Sequence, residues 1–365
     1  MRRDDSGLDA LRMFLIAAAF AALLYVGYRS AIVLEDSTSS KQFGYIPDAT
    51  ATKAFLKTLE RPMFAEAGQD AIAKAKGVDT MLYRHADRAH RKVYGTPFTC
   101  WNQGSIGSCV SFGWGMGSYI AQSVDYSTGR RPDAPRLVAT ESIYGGSRVE
   151  ARGIKFAGYS DGSYGGAAAK WVAGMPGGIG GILYRESYGD FDLSTYSVSL
   201  CKEWGAYGNG GKDDGGKLDI VAGKNPAHDV ALVTDFEQAA AAIESGFPVA
   251  VCSGVGFASV RNGGSVAETG YASRRGSWAH CMVFISSRHA ANDGGSDGLL
   301  CLNSWGPTWI SGPKWPEDQP EGSFWVDRKT VDAMLSGEDS FAIGGGGFRY
   351  RDLEHKNWLG GRGND

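Results

Sequence analysis

The stretch Asn102–Gln103–Gly104–Ser105–Ile106–Gly107–Ser108–Cys109 leads directly into Cys109–Val124, whose apolar residues recur at helical spacing. A cysteine at the start of a helix faces the positive end of the helix dipole, which favours its thiolate. A glutamine six residues earlier can direct its amide N–H₂ at a developing oxyanion, beside the backbone N–H of the cysteine. The stretch therefore predicts that Cys109 is a nucleophile and that Gln103 is an oxyanion donor.

Two later segments supply the other groups that a cysteine nucleophile needs. Trp278–Ala279–His280 opens an apolar, strand-like run, and Asn303–Ser304–Trp305–Gly306 closes another. A histidine can accept the thiol proton, which gives a nucleophilic thiolate–imidazolium pair. An asparagine amide oxygen can accept the other imidazole N–H and fix the tautomer of the ring. We therefore expect His280 as the acid and base, Asn303 as the residue that orients it, and acyl transfer as the reaction.

The segments QGSIGSC, AHCMVFI and NSWG resemble the active-site segments of the papain-like (cathepsin-type) cysteine peptidases. The resemblance covers roughly residues 97–343. It implies a two-lobed α+β domain, with a helical lobe that carries Cys109 and an antiparallel, β-barrel-like lobe that carries His280 and Asn303. It also implies hydrolysis of peptide bonds in a polypeptide substrate through an acyl-enzyme, without a cofactor or a metal ion.

The same resemblance implies roles in substrate binding and in protecting the active site. Trp305 would shield the His280–Asn303 hydrogen bond from water. The turn before the Ala167 helix would bind the backbone of the substrate. The residues implied in substrate binding are Gly162, Ser163, Tyr164, Trp278 and Trp305, and Gly165 and Cys281 would also line the main specificity pocket.

The sequence departs from the pattern of this family at several positions. The family usually has a cysteine where Ile106 stands and its disulfide partner near Ser160, and both cysteines are absent. Val110 replaces the usual tryptophan after the nucleophile, Ser163 replaces a glycine, and Pro313–Glu321 has the look of an insertion. We therefore expect most of the six cysteines to be unpaired, with apolar packing around Ile106 in place of the missing cross-link.

Composition excludes several other classes of protein. Hydrophobic residues make up 43% of the 365 residues and aromatic residues 12%, which excludes a disordered chain. A net charge of −3 argues against nucleic-acid binding. The glycine–lysine spacing of Gly211–Lys217 fits a phosphate loop, but Leu218 replaces the required Ser or Thr. The histidines other than His280 lack the spacing of metal ligands.

The order of the predicted elements, helices first and strands later, is typical of an α+β domain. The predicted helices are Cys109–Val124, Ala167–Met175 and Phe236–Glu244, the last with a capping box of Thr234 and Glu237 and an end at Gly246. The predicted strands are Pro248–Cys252, His280–Ser286, Leu299–Asn303 and Phe324–Asp327.

Residues 1–34 resemble a membrane anchor. Met13–Tyr28 is an uninterrupted apolar run that follows three arginines. Basic residues on this side predict a single-pass protein with a cytoplasmic N-terminus and an extracytoplasmic catalytic domain. A cleaved secretory signal, which would release the protein, is the alternative.

The remainder of the chain divides into three further regions. Residues 35–95 are polar and rich in alanine and lysine, and we interpret them as a stalk or a pro-segment. Residues 96–347 form the peptidase domain, and residues 348–365 form a weakly ordered tail.

Two other functions stay open at this point. The same residues could transfer the acyl group to an amine rather than to water. The chain could also be a non-catalytic surface or binding protein with the same fold, although such a protein has no chemical need for Gln103, Cys109, His280 and Asn303 together. The oligomeric state is not indicated by the sequence.

Overall fold

The computed structural model describes residues 44–227, 229–261 and 270–353. The predicted anchor, residues 1–34, lies outside these ranges, as do residues 354–365 of the predicted tail. Within the described ranges, no helix has both the length and the apolar character needed to cross a membrane.

The described helices alternate with strands in the second half of the chain. In chain order they are α1 (Ala49–Leu56), α2 (Phe64–Ala67), α3 (Gln69–Lys74), α4 (Leu82–Tyr94), α5 (Cys109–Ser127), α6 (Thr140–Arg148), α7 (Gly165–Ala173), α8 (Val198–Tyr207), α9 (Lys217–Ala222), α10 (Phe236–Glu244), α11 (Ala290–Asp293) and α12 (Arg328–Leu335).

The main sheet is antiparallel and has seven strands. The described strands are β1 (Thr80–Met81), β2 (Ser187–Tyr188), β3 (Phe191–Asp192), β4 (Asp229–Leu232), β5 (Val249–Arg261), β6 (Ala272–Arg288), β7 (Gly298–Leu302), β8 (Ser323–Asp327) and β9 (Phe341–Gly344). The order across the main sheet is β4-β9-β5-β6-β7-β8, with β1 paired to β6, while β2 and β3 form a separate hairpin. Helices and an antiparallel sheet together confirm the α+β class.

Helix α5 lies at the centre of the molecule and packs against β6 on one side and α4 on another. Its glycines make this close packing possible. A Cβ on Gly117 would lie 2.7 Å from the Cδ1 of Ile343 in β9. The helix is buried from Cys109 to Ile120, which explains why its sequence is apolar on nearly all sides rather than on one face.

Most predicted elements are present, with ends set by contacts from distant parts of the chain. Helix α10 has the predicted bounds, but the predicted capping box is wrong. The side chain of Asp235, not Thr234, accepts the backbone N–H of Gln238 at 2.9 Å, and the Gln238 amide bonds back to Thr234. Helix α7 starts two residues earlier than predicted because Asp339 accepts the N–H groups of its first turn.

The region between residues 49 and 94 belongs to the same compact unit as the rest of the described chain. Phe64 and Leu82 are fully buried, and α4 lies along α5. A stalk would expose such side chains, so the helical part of this region contributes to the core. Whether these residues are also a pro-segment stays a prediction.

The first residues of the predicted tail are packed rather than loose. Phe348 is buried with its ring 5.0 Å from that of Phe247. Arg351 donates to the carboxylate of Asp125, at the end of α5, at 2.7 Å. The polar residues among 348–353 suggest a tail in the sequence. The contacts that hold them come from residues far away in the chain, so no local pattern predicts them.

The predicted apolar packing around Ile106 is present. Ile106, Tyr144 and Cys201 form a small buried cluster, against which Tyr196 and Val198 pack. All six cysteines are buried and have unpaired thiols. The loop before Cys109 is therefore braced by packing at the place where a disulfide is absent.

Candidate active site

Cys109 is the first residue of α5 and is fully buried. Its Sγ accepts a hydrogen bond from the backbone N–H of Cys281 at 3.3 Å. Cys281 follows His280 in β6, so the helix start contacts the peptide group beside the predicted base. Gly113 permits this approach, because a Cβ there would lie 2.8 Å from the carbonyl oxygen of Met282.

His280 and Asn303 lie side by side, each fully buried. The Nε2 of His280 is 2.6 Å from the Oδ1 of Asn303, and the same oxygen accepts the backbone N–H of Ser304 at 2.6 Å. An amide oxygen can only accept hydrogen bonds, so Nε2 carries the hydrogen of the neutral ring. The contact therefore holds the imidazole in one tautomer.

Trp305 covers the imidazole of His280. The two ring centroids are 4.6 Å apart and the planes are tilted by 32°. Trp278 and Trp309 pack against Trp305 at centroid distances of 4.9 Å and 5.1 Å. This group of indole rings forms an apolar cover that keeps water away from the buried histidine.

Gln103 links the loop before Cys109 to the segment that carries Asn303. Its Oε1 accepts the hydroxyl of Ser304 at 2.6 Å, and its backbone N–H donates to the carbonyl of Ser304 at 2.8 Å. Its Nε2 donates to the carbonyl oxygen of Ile106 at 2.9 Å. These bonds fix Gln103, the predicted oxyanion donor, both to the loop before Cys109 and to the segment that carries Asn303.

A short segment of the chain, Gly44–Ile46, lies between the turn at Ser163 and the strand that carries His280. Ser163 donates its N–H to the carbonyl of Gly44 at 2.8 Å, and its own carbonyl accepts the N–H of Ile46 at 2.8 Å. The N–H of Tyr45 donates to the carbonyl of Ala279 at 3.1 Å. We call these three residues the cleft segment; it pairs with Ser163 in parallel direction.

The backbone of the cleft segment is in close contact with the backbone of the loop that precedes Cys109. A Cβ built on Gly107 would lie 3.1 Å from the Cα of Gly44, and Gly44 itself has a φ of 108°. Both positions therefore require glycine. With the segment in place, neither Cys109 nor His280 is accessible to solvent.

Burial changes the protonation of the site. It raises the pKa of the Cys109 thiol well above its ordinary value, although the backbone N–H of Cys281 opposes the change. It lowers the pKa of His280 to about 4, against the effect of the hydrogen bond to Asn303. The closed arrangement therefore favours a neutral thiol and a neutral imidazole, whereas the sequence predicts a thiolate–imidazolium pair. Burial outweighs the helix dipole here.

The other residues predicted to bind substrate lie around the cleft segment. Ser163 bonds to it directly, and Gly162 stands at a φ of 108° where a Cβ would meet Ile46. Tyr164 is buried at the start of α7. Trp278 is half-buried and belongs to the aromatic cover rather than to the segment.

Tyr45 lies in the cleft and is missed by reasoning from sequence. Tyr45 is buried, and its pKa is raised by burial and by the neighbouring Cys252 and Asp339. The only local signal is Pro47, which favours an extended backbone at the residue before it. That signal predicts an extended segment but not its place in the cleft.

The described ranges contain no group of three or more Cys, His, Asp or Glu residues that could hold a metal ion.

Comparisons with known proteins identify the fold. No family model matches the chain, and neither does any curated protein. Among solved structures, the chain is similar to xylellain, a cysteine protease from Xylella fastidiosa, with 16% identity, a TM-score of 0.50, and coverage of 83% of this chain and 95% of that chain. It also matches procathepsin L2 from the larval midgut of Tenebrio molitor, with 16% identity, a TM-score of 0.49, and coverage of 94% and 95%. The chain has the papain-like fold of cysteine proteases.

Proposed function

We propose that the protein is a cysteine peptidase in which Cys109 is the nucleophile and His280 the acid and base. The observation that carries this proposal is the contact between Cys109 Sγ and the peptide N–H beside His280, whose ring is in turn held by Asn303. The papain-like fold supports it, because the two groups lie on the helix and the sheet strand that meet at the cleft.

The proposed reaction follows from the functional groups present. His280 takes the proton of Cys109, and the thiolate attacks the carbonyl carbon of a peptide bond. The oxyanion is stabilised by the backbone N–H of Cys109 and by the amide of Gln103. Collapse breaks the C–N bond, and the amine leaves with the proton from His280. Water, deprotonated by His280, then hydrolyses the thioester and restores the thiol.

We also propose that the described arrangement is a closed form, blocked by the cleft segment. The segment uses the backbone groups of Ser163 and Ala279 that an extended substrate would need. The segment pairs with Ser163 in parallel direction, and Cys109 is not accessible to solvent while the segment is in place. Both observations support a blocking role. Activity then requires that the segment leave the cleft, by cleavage or by local opening.

A digest of a denatured protein substrate tests the activity. We expect peptides to appear with the Tyr45→Ala chain, and to disappear after alkylation with iodoacetamide or in the double variant with Cys109→Ala. In ¹⁸O-water, hydrolysis adds one ¹⁸O to each new carboxylate. Products joined to an added amine, without ¹⁸O, would instead assign the protein as an acyl transferase. Retained digestion by the Cys109→Ala chain would contradict the proposal.

Location in the cell stays a proposal that rests on residues 1–34. We expect the full-length chain in the membrane fraction and a chain lacking residues 1–34 in the soluble fraction. A full-length preparation that is soluble and trimmed near residue 30 would favour a secretory signal.

A further inference from the structure

The carboxylate of Asp161 bonds to the loop that precedes the nucleophile, residues 103–108, which we call the nucleophile loop. Its Oδ2 accepts the backbone N–H of Gly107 at 3.0 Å, and Gly107 lies two residues before Cys109. The two chain segments are close together here, because a Cβ on Gly107 would lie 2.7 Å from the Cβ of Asp161. A glycine at this position therefore leaves room for the carboxylate to reach the backbone of the loop.

The same carboxylate is connected to the turn at residues 162–163 through Tyr144 in α6. The buried Tyr144 hydroxyl donates to the Oδ1 of Asp161 at 3.4 Å and accepts the N–H of Gly162 at 3.1 Å. The N–H of Gly162 can only donate, so the single hydrogen of the hydroxyl is free to point at the carboxylate. Asp161 thus has one oxygen bonded towards the nucleophile loop and the other towards the turn.

Helix α6 holds this turn at two further points. Arg148, one helical turn after Tyr144 and buried, donates to the carbonyl of Gly162. The hydroxyl of Ser163 donates to the Oγ of Ser147 at 2.8 Å. The backbone N–H and carbonyl of Ser163 face the cleft, where both bond to the cleft segment.

We propose that Asp161 is a positioning residue, which sets the spacing between the nucleophile loop and the turn that binds the backbone of the substrate. This inference rests on the proposed peptidase function. A substrate bonded to Ser163 presents its carbonyl carbon to Cys109 only when the loop and the turn are in register. A displacement of about 1 Å between reacting groups can cost about 10²-fold in rate, so a single side chain that joins both segments has a large effect.

The first experiment compares two reagents that alkylate Cys109, and it needs no turnover. In the opened Tyr45→Ala chain, iodoacetamide reacts without contacting the turn, whereas a peptidyl vinyl sulfone must first bind there. We expect Asp161→Ala to lower the ratio of the peptidyl rate constant to the iodoacetamide rate constant by about 10- to 100-fold, as for loss of a hydrogen bond to a charged group. Asp161→Asn should regain most of this loss, because its amide oxygen can still accept the N–H of Gly107.

Asp327 provides the matched control. Its carboxylate also accepts one backbone N–H and one hydroxyl, both from Thr330 in α12, and it is half-buried like Asp161. Asp327→Ala should lower the thermal midpoint and leave the ratio of rate constants unchanged. A ratio that falls equally in Asp327→Ala and Asp161→Ala would reflect a general loss of stability and overturn the inference, as would an unchanged ratio in Asp161→Ala.

The second experiment separates the two bonds of Asp161 by steady-state kinetics with a fluorogenic peptide, again in the Tyr45→Ala chain. Asp161→Ala should act mainly on kcat, because the loop that carries the nucleophile loses its fixed position. Tyr144→Phe should act mainly on KM, because the turn loses the acceptor of the Gly162 N–H while the loop keeps its bond to Asp161. An unchanged kcat in Asp161→Ala would overturn the inference.

The outcomes separate this inference from the proposed function. Cleavage of peptides with an unchanged ratio of alkylation rates overturns the role of Asp161 and leaves the peptidase intact. Absence of cleavage by every chain contradicts the proposed function, and the ratio then still decides the role of Asp161. If Asp161→Ala fails to fold, Tyr144→Phe decides: the inference requires a lower ratio in that variant, and an unchanged ratio overturns it.

Discussion

The proposed reaction centre and the carboxylate of Asp339 are both buried, and burial affects the protonation of both. In the centre, burial pushes Cys109 and His280 towards their neutral forms. Burial also raises the pKa of Asp339, to about 6, although two backbone N–H groups and the hydroxyl of Thr52 donate to its carboxylate. The comparison shows that donors from the fold reduce the effect of burial on a polar group without cancelling it.

The two places are both assembled from distant parts of the chain. The centre joins the start of α5, a residue inside β6 and the residue that follows β7, and the bond from Cys281 to Cys109 spans 172 residues. Asp339 joins α1 and α7 through side-chain and backbone bonds that cross more than 170 residues. Both therefore depend on contacts that form only in the folded chain.

The largest expected effect removes the reactive group of the centre alone. In an opened Tyr45→Ala background, Cys109→Ala should reduce peptide turnover to the background rate and leave the thermal midpoint nearly unchanged, because only one sulfur atom is lost. Cys301→Ala, which removes a fully buried thiol from strand β7, is the matched control and should keep activity. Peptide turnover by the Cys109→Ala variant would contradict the assignment of Cys109 as the nucleophile.

A smaller effect is expected at the oxyanion donor. Gln103→Ala in the same background should lower kcat by roughly 10²–10³, the usual loss for one such donor. Labelling of Cys109 by iodoacetamide should continue, because the nucleophile and its base remain. A simultaneous loss of labelling and turnover would show that the bonds of Gln103 to Ser304 and Ile106 serve the structure rather than the reaction.

Gly113 lies where α5 packs against β6 beside the proposed centre, so a side chain there should weaken that packing. Its Cβ would lie 2.8 Å from the carbonyl of Met282 and 3.0 Å from the Sγ of Cys281. We expect Gly113→Ala to cost about 1–3 kcal/mol of unfolding free energy, as for other overpacked positions, measured by urea titration. Gly337→Ala, at a position with open space around it, should change little. Equal stabilities of the two variants would argue against tight packing between α5 and β6.

The smallest expected effect is a change of protein stability with pH that arises from the protonation of His280. The pKa of His280 is about 4 in the closed form, below its ordinary value of about 6.5. Between these values the unfolded chain binds the extra proton, so the closed form loses stability as the pH falls from 6.5 towards 4. The thermal midpoint of the wild-type chain should therefore fall more over this interval than that of His280→Gln. The contribution of Asp339 is common to both chains and cancels.

The residues that meet at the proposed centre can be found in the sequence because a local rule marks each of them. A cysteine at a helix start, a histidine in an apolar strand and an asparagine at a strand end each leave a signature within a few residues. The strands β5 and β6 run further than predicted because their pairing continues through several register shifts, which a regular alternation of apolar residues does not predict. The closure of the centre could not be predicted, since burial depends on the whole fold.

The places of Tyr45 and Asp339 in the fold could not be predicted for a related reason. Tyr45 and Asp339 lie almost three hundred residues apart and have no pattern in common. Asp339 follows a helix with nothing nearby to mark it as a cap for α7, and the capping box predicted at Thr234 fails because the neighbouring Asp235 is the better acceptor. Caps and pockets that depend on long-range contacts are visible only once the topology is known.

Because the cleft segment is part of the same polypeptide, its proposed competition with a substrate is intramolecular. A tethered ligand acts at an effective concentration set by the geometry of the chain, commonly in the millimolar range for short connections. Dilution of the protein will therefore not relieve the block, and the onset of activity should follow first-order kinetics in the uncut chain. A substrate at micromolar concentration therefore competes with a segment whose effective concentration is much higher. A cut in the connection between the segment and α1 should activate the protein far more than a rise in substrate concentration.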